Sequence, residues 1–188
     1  MALFVPKSEL IHLDRLNEKP LCNAMYLKGF RNSKIVNPRH CFLATYALEE
    51  MAKEDSFFKT YVDILPKSYD NFPVFFTDEE KTWLAGSPFL DELNDKVAEI
   101  QTAYDTICEA VPEYAAAFSH KQFSEMRMLV ASRIYGLTME DGKETDAFVP
   151  YADMINHSYP MEVAYRYSKK RGGFVYQALR DIKLGETV

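Results

Sequence analysis

The spacing of apolar positions changes twice along the chain. Leu3–Pro6 form a short apolar run that a proline closes, which is typical of a strand. Between residues 37 and 136, apolar residues recur every three or four positions, so this part is predicted to be helical almost throughout. After Gly136, short apolar runs alternate with turn residues, which predicts strands.

The clearest helical signal covers residues 87–111. Ser87 is a good N-cap and Pro88 suits the first helical turn. One apolar stripe follows at steps of three and four, formed by Leu90, Leu93, Val97, Ile100, Tyr104, Ile107 and Val111. The segment is therefore predicted to be a helix of about six turns.

Two capping boxes mark further helix starts. Thr77 pairs with Glu80 in the first, and Ser119 pairs with Gln122 in the second. The helix that follows Ser119 is predicted to end at Gly136, because glycine commonly terminates helices.

Residues 161–179 are predicted to form a β-hairpin. Two strand-like runs, within residues 161–168 and 174–179, are joined by a Lys-Lys-Arg-Gly-Gly stretch whose glycines suit a turn. A further strand is predicted to start at Thr187–Val188. Because one short strand cannot bury itself, we expect the two chain ends to pair with each other, and the chain to be cut from a longer protein. The fold class predicted is α+β, with short strands at both ends and helices between them.

Composition excludes several kinds of function. The net charge of −6 and the pI near 5.3 argue against a nucleic-acid-binding surface, although a local acidic cleft could still steer a basic peptide. No apolar run has the length of a membrane span, and no signal peptide is evident. Neither nucleic acid nor a membrane is therefore expected among its partners.

The cysteines also limit the possibilities. Cys22, Cys41 and Cys108 are odd in number and widely spaced, and no C-x-x-C occurs. They are expected to be reduced thiols in a cytoplasmic or nuclear protein, with neither a disulfide framework nor a metal site.

One polar cluster stands out in the segment VPYADMINHSYP, residues 149–160. Asp153, Asn156 and His157 lie within five positions, and four interpretations compete: a metal site, a catalytic dyad, a local cap, or a cradle for a cofactor. A metal would need more converging ligands, and Ser158 beside His157 cannot form a triad by adjacency. Chemistry alone favours the cap over the cofactor cradle.

The wider sequence bears a family resemblance. The run FVPYADMINHS, preceded by ASRIYG and followed by a hairpin and LRDIKLGETV, resembles the SET domain of protein methyltransferases. It is similar to the subgroup that includes the Rubisco large-subunit lysine methyltransferase and the actin-histidine methyltransferase, which carries a long helical insertion. The passage from Ser56 to Ser87 also resembles that insertion, so the resemblance covers the whole chain.

The resemblance implies a binding site for S-adenosylmethionine. Asn156 and His157 would present backbone groups and an amide to the cofactor, and Arg133 would reach its carboxylate with paired donors. Asp153, Met154 and Ile155 would lead into the turn and shape the pocket floor. Ala2 aligns roughly with a position whose backbone faces the cofactor.

The resemblance also implies domain boundaries and an activity. Residues 1–28 and 137–188 would form the two parts of a SET core, around a helical insertion at 29–136. The expected function is S-adenosylmethionine-dependent methylation of a protein lysine, or less favourably a histidine. No catalytic residue is assigned, because the family's tyrosine would lie beyond Val188, and the fragment is therefore expected to be inactive. The alternative is a catalytically inactive SET-like scaffold that binds a protein partner.

Overall fold

Strands from opposite ends of the chain form one sheet. The computed structural model describes residues 3–157 and 159–186. Its strands are β1 (Leu3–Pro6), β2 (Ile11–His12), β3 (Ile134–Thr138), β4 (Glu144–Phe148), β5 (Val163–Ser168) and β6 (Gly173–Ala178). One antiparallel sheet has the order β1-β6-β5, and a second has the order β2-β4-β3. The pairing of β1 with β6 confirms that the two ends meet.

The pairing of β1 with β6 depends on one glycine, Gly173. A Cβ added to Gly173 would lie 2.3 Å from the carbonyl oxygen of Val5 on β1. Only glycine therefore allows β1 to pair with β6 at this point. The hairpin prediction is confirmed, with Ser168 paired to Gly173 at its closed end.

The two sheets belong to one compact unit, formed by residues 1–15 and 132–188 and called the sheet unit below. Apolar side chains from both sheets share its core. Buried members include Val5, Leu10, Leu137, Ala147 and Phe174. Small sheets need such a shared apolar face, because two or three strands alone are marginally stable.

Residues 16–131 form a second compact unit, the helical unit. Its helices are α1 (Pro20–Leu27), α2 (Pro38–Met51), α3 (Lys59–Ile64), α4 (Asp78–Thr82), α5 (Pro88–Ala110), α6 (Glu113–Ala117) and α7 (His120–Arg133), whose last two residues belong to the sheet unit. The compact units divide at 15/16 and 131/132. The domain boundaries expected at 28/29 and 136/137 stay predictions.

The capping signals ahead of α4, α5 and α7 are satisfied. Thr77 and Glu80 form a reciprocal capping box at α4. Ser119 and Gln122 do the same ahead of α7, with Ser119 N–H donating to the Gln122 side chain at 2.9 Å and Gln122 N–H donating back at 3.3 Å. The hydroxyl of Ser87 accepts from the N–H of Phe89 at the start of α5.

The helical unit contains a buried ion pair. Lys19 and Glu50 contact each other with side chains only 9% and 6% exposed. The hydroxyl of Ser56 also donates to the Glu50 carboxylate, and the Lys19 ammonium lies 5.0 Å from the ring centroid of Tyr46. Each charge is thus compensated, which buried ionised groups require.

The predicted end of the last helix was wrong by three residues. Helix α7 ends at Arg133, and Gly136 lies within β3, opposite Asp146 of β4. The residues from Ile134 onward favour strand pairing through β-branched and aromatic side chains. The ladder to β4 then satisfies the backbone groups that a longer helix would have used.

Some predictions concern positions that the structure does not describe. Ala2, Ser158 and the strand start predicted at Thr187–Val188 lie outside the described residues. No described helix is both long and apolar enough to cross a membrane.

Candidate functional site

Arg133 occupies the junction between α7 and β3. It is the last residue of the helix, and Ile134 begins the strand with Phe148 of β4 as its partner. The ladder between β3 and β4 therefore positions the Arg133 backbone. Because β4 ends at Phe148, this pairing also places the chain that leaves β4 close to Arg133.

The chain that leaves β4 forms a turn held by its own backbone. The carbonyl of Val149 accepts hydrogen bonds from the N–H groups of Ala152 and Asp153, at 3.1 and 3.3 Å. Tyr151 has a φ of 65°, the left-handed region that non-glycine residues rarely enter. A short 3-10 turn, Ala152–Met154, follows it. A left-handed residue at this corner shows that the surrounding contacts specify the turn closely.

The side chain of Asp153 binds Arg133. Arg133 Nη1 lies 3.3 Å from Asp153 Oδ2 and 3.1 Å from the Asp153 carbonyl oxygen. The Asp153 side chain is fully buried, whereas the Arg133 side chain is 21% exposed. The pair is thus shielded on the carboxylate side and open to solvent on the guanidinium side.

Arg133 has guanidinium donors that the described residues leave unused. Within residues 3–157 and 159–186, its guanidinium forms hydrogen bonds only through Nη1, including a 3.3 Å contact to Met154 Sδ. Its Nε and Nη2 groups make no hydrogen bond to those residues. Two adjacent N–H donors on one edge of a guanidinium suit a carboxylate.

The remaining predicted site residues separate into two groups. Ile155 is half-buried and packs against the core of the sheet unit. Asn156 and His157 follow it outside any helix or strand, and both are exposed. The Asn156 side chain makes no hydrogen bond to the described part of the chain. The structure therefore joins Arg133, Asp153 and Met154 in direct contact, while Asn156 and His157 remain accessible at the exit of the turn.

The structure adds a residue that sequence analysis missed. The Tyr135 hydroxyl donates to the Ala152 carbonyl oxygen at 2.9 Å and lies 2.8 Å from the Tyr176 hydroxyl of β6. It thus connects β3 both to the turn and to the other sheet. Burial raises the pKa of Tyr135, and its hydrogen bond to Tyr176 raises it further, so the hydroxyl keeps its proton and stays a donor. In the sequence, only its position two residues after Arg133 could have indicated that Tyr135 lies near the site.

Replacing Tyr135 by phenylalanine should loosen this turn. The change leaves the Ala152 carbonyl and the Tyr176 hydroxyl without their shared partner, so we expect a loss of about 1–2 kcal/mol in unfolding free energy. Urea unfolding gives the energy, and faster hydrogen exchange at the Met154 and Ile155 amides reports the turn. Tyr176→Phe is the matched control, because it keeps the Tyr135–Ala152 bond and should cost less. An equal loss with unchanged exchange in both variants would contradict the role given to Tyr135.

Among the described residues, no group of three or more His, Cys, Asp and Glu side chains comes together as a possible metal site.

Comparison with known proteins agrees with this architecture. No protein-family model matches the chain. Over 155 residues it is 24% identical to the actin-histidine N-methyltransferases of Callithrix jacchus and Homo sapiens, covering 78% of this chain and 26% of each relative. The chain thus spans about a quarter of the length of these curated relatives.

Two solved structures share the fold. The SET domain of LSMT bound to methyllysine and AdoHcy superposes with a TM-score of 0.70 at 22% identity, over 87% of this chain and 37% of that one. Rubisco LSMT bound to sinefungin and monomethyllysine gives 0.72 at 20% identity, over 99% of this chain and 41% of that one. The mixed α+β class predicted from the sequence is confirmed. The predicted resemblance is confirmed as well: this chain has the fold of the SET-domain protein methyltransferases and is similar to members of that class in sequence.

Proposed function

We propose that this chain is part of an S-adenosylmethionine-dependent protein methyltransferase that acts on a protein lysine, with histidine as the less favoured acceptor. The observation that carries the proposal is the Arg133–Asp153 pair beside an exposed Asn156–His157 turn, on a SET fold. Rubisco LSMT, with the same fold, was solved with sinefungin and monomethyllysine. The histidine alternative has its support in the actin-histidine methyltransferases that are similar in sequence.

The residues present fit such a cofactor. Its amino-acid end carries a carboxylate, which the Nε and Nη2 edge of Arg133 could bind with two parallel hydrogen bonds. The Asn156 amide offers one donor group and one acceptor, and its backbone is not committed to a helix or strand. Asp153 would act indirectly, because its contact with Nη1 holds the guanidinium plane in place.

The part these residues play is binding and orientation. The cofactor supplies a methyl group on a sulfonium, a good leaving group, so the protein mainly has to align the acceptor nitrogen with it. Alignment of this kind can contribute several kcal/mol, by order of magnitude. Arg133 and Asn156 would fix the cofactor, and the turn held by Tyr135 would fix Asn156. No proton transfer from the acceptor nitrogen is assigned to any of them.

A scaffold without catalysis is the second candidate. The observation that favours it is the ion pair between Arg133 and the fully buried side chain of Asp153. This pair gives both residues a structural role that needs no ligand. In that case the SET fold would serve to bind a protein partner, and the Asn156–His157 turn would be an ordinary surface turn.

We further propose that the protein works in the cytoplasm or nucleus. Cys22, Cys41 and Cys108 are all free. Burial raises the pKa of the Cys22 thiol, and it raises that of Cys41 to about 11. Both thiols are therefore protonated and unreactive near neutral pH, as expected of structural cysteines in a reducing compartment.

Binding of S-adenosylhomocysteine tests the proposal. Calorimetric titration into the wild-type protein, extended past both ends of this chain, should show binding, and Asn156→Ala should weaken it about tenfold or more, because an amide that bonds the ligand is lost. Asn94→Ala is the matched control, since Asn94 is an exposed asparagine on α5, and it should leave the affinity unchanged. Absence of binding in the wild type would favour the scaffold. Equal binding in all three proteins would move the site away from this turn.

A further inference from the structure

The only tryptophan of the chain is exposed to solvent. Trp83 follows α4 directly, and its side chain is 73% exposed. Phe89, in the first turn of α5, is 44% exposed. Between them, the N–H of Ser87 donates to the Leu84 carbonyl in a tight turn, so the two aromatic residues flank one short connection. Exposed large apolar side chains that lie near each other commonly mark an interaction surface.

The segment that contains Trp83 and Phe89, residues 78–95, carries most of the net negative charge of the chain. Residues 78–95 contain six carboxylates, Asp78, Glu79, Glu80, Asp91, Glu92 and Asp95, and a single basic residue, Lys81. The net charge of the whole chain is −6, so the remaining residues are nearly balanced. The negative charge is therefore concentrated in this segment and is not spread over the whole chain.

Several of these carboxylates are available. Glu79, Asp91 and Glu92 are exposed, and they form no ion pair with the described residues. Lys81 lies 4.0 Å from the Asp78 carboxylate, so the one cation is already engaged. A partner that brings cations would gain attraction here without breaking existing pairs.

We propose that the surface formed by Trp83, Phe89 and the carboxylates of residues 78–95 binds a basic protein segment that carries apolar side chains. Lysine and arginine side chains would pair with the carboxylates, and one of them could lie over the Trp83 ring as a cation–π contact. Apolar residues of the segment would cover Trp83 and Phe89. Tryptophan is among the residues that contribute most to binding energy at protein interfaces.

The charge argues against other macromolecules on this surface. Nucleic acid and anionic lipid headgroups are both negative, and the carboxylates would repel them. A second copy of the chain would bring the same negative surface to any symmetric contact here, and like charges would oppose each other. The proposal does not depend on methyltransferase activity, since binding at this surface needs no cofactor.

Fluorescence of the single tryptophan provides the test. The probe is a synthetic peptide in which Lys and Arg alternate with Phe and Leu, and the comparison peptide has Glu in place of the basic residues. The basic peptide should shift Trp83 emission to shorter wavelength as the ring becomes covered. Its affinity should fall several-fold between 50 and 200 mM salt, because exposed charges are screened. The acidic peptide should leave the emission unchanged.

Variants show whether the surface itself is responsible. By anisotropy of a labelled peptide, Trp83→Ala should weaken binding about tenfold, and Asp91→Asn with Glu92→Gln about threefold to fivefold at low salt. Phe57→Ala is the matched control, because Phe57 is also 73% exposed but lies among residues of both charges. Circular dichroism checks that each variant is folded.

The outcomes are distinct. Loss of binding in the Trp83 and carboxylate variants but not in Phe57→Ala supports the proposal. No binding by the basic peptide, equal binding by the acidic peptide, or equal weakening in all variants would overturn it. Sedimentation equilibrium showing a dimer that Trp83→Ala dissociates would also overturn it, in favour of a contact between two copies.

Discussion

Replacing Arg133 by methionine is expected to lower the unfolding free energy by about 3 kcal/mol and to remove S-adenosylhomocysteine binding. Methionine preserves most of the apolar stem, but the fully buried Asp153 carboxylate loses its cation. Removing one partner of a buried ion pair costs about 3–5 kcal/mol, and the partial exposure of Arg133 reduces this somewhat. Urea unfolding at neutral pH measures the stability, and calorimetry measures the binding.

Two further variants separate charge from packing at this pair. Arg166→Met is the matched control: Arg166 is exposed on β5 and donates to Gln177 at 3.0 Å, so its loss should cost less than about 0.5 kcal/mol. Asp153→Asn in the Arg133→Met background removes the stranded charge and should recover part of the stability. If Arg133→Met lowers the unfolding free energy no more than Arg166→Met does, Arg133 does not stabilise the buried Asp153 carboxylate.

Replacing Lys19 by methionine is expected to destabilise the helical unit by about 3–5 kcal/mol. The Lys19 and Glu50 side chains are both less than 10% exposed, so the variant leaves the Glu50 carboxylate buried with Ser56 as a hydrogen-bond donor but without a cation. A thermal or urea transition at neutral pH measures the loss.

An exposed pair of the same chemistry serves as the control for Lys19. Lys59 lies 3.2 Å from Asp63, and both side chains are more than half exposed. Lys59→Met should therefore change stability by less than about 0.5 kcal/mol. Lys19→Met combined with Glu50→Leu should recover most of the loss, because apolar replacements for a buried pair are often neutral. Equal effects of Lys19→Met and Lys59→Met would show that burial does not strengthen the Lys19 pair.

Local signals predicted the starts of α4, α5 and α7 and the length of α5, but not the non-helical residues 65–72, which lie within a part predicted to be helical almost throughout. The capping boxes at Thr77 and Ser119 mark helix starts in the structure, and the stripe of residues 87–111 forms the long helix α5. Such signals act between neighbours in sequence, through hydrogen bonds and side-chain periodicity. The end of α7 was predicted incorrectly at Gly136, because its strand pairing with β4 involves residues farther along the chain.

At the candidate site, too, some features follow from the sequence and others only from contacts between distant residues. The sequence by itself predicted which residues would bind a ligand, namely Arg133 and the segment from Asp153 to His157, through their resemblance to a known family.

Only the tertiary structure decided how these residues meet. Asp153 contacts Arg133 across 20 positions, and Tyr135 contacts Tyr176 across 41. Such contacts depend on the register of two sheets, which follows from packing over a shared core and not from any local pattern. The same packing decided that Asp153 is buried while Asn156 and His157 remain exposed.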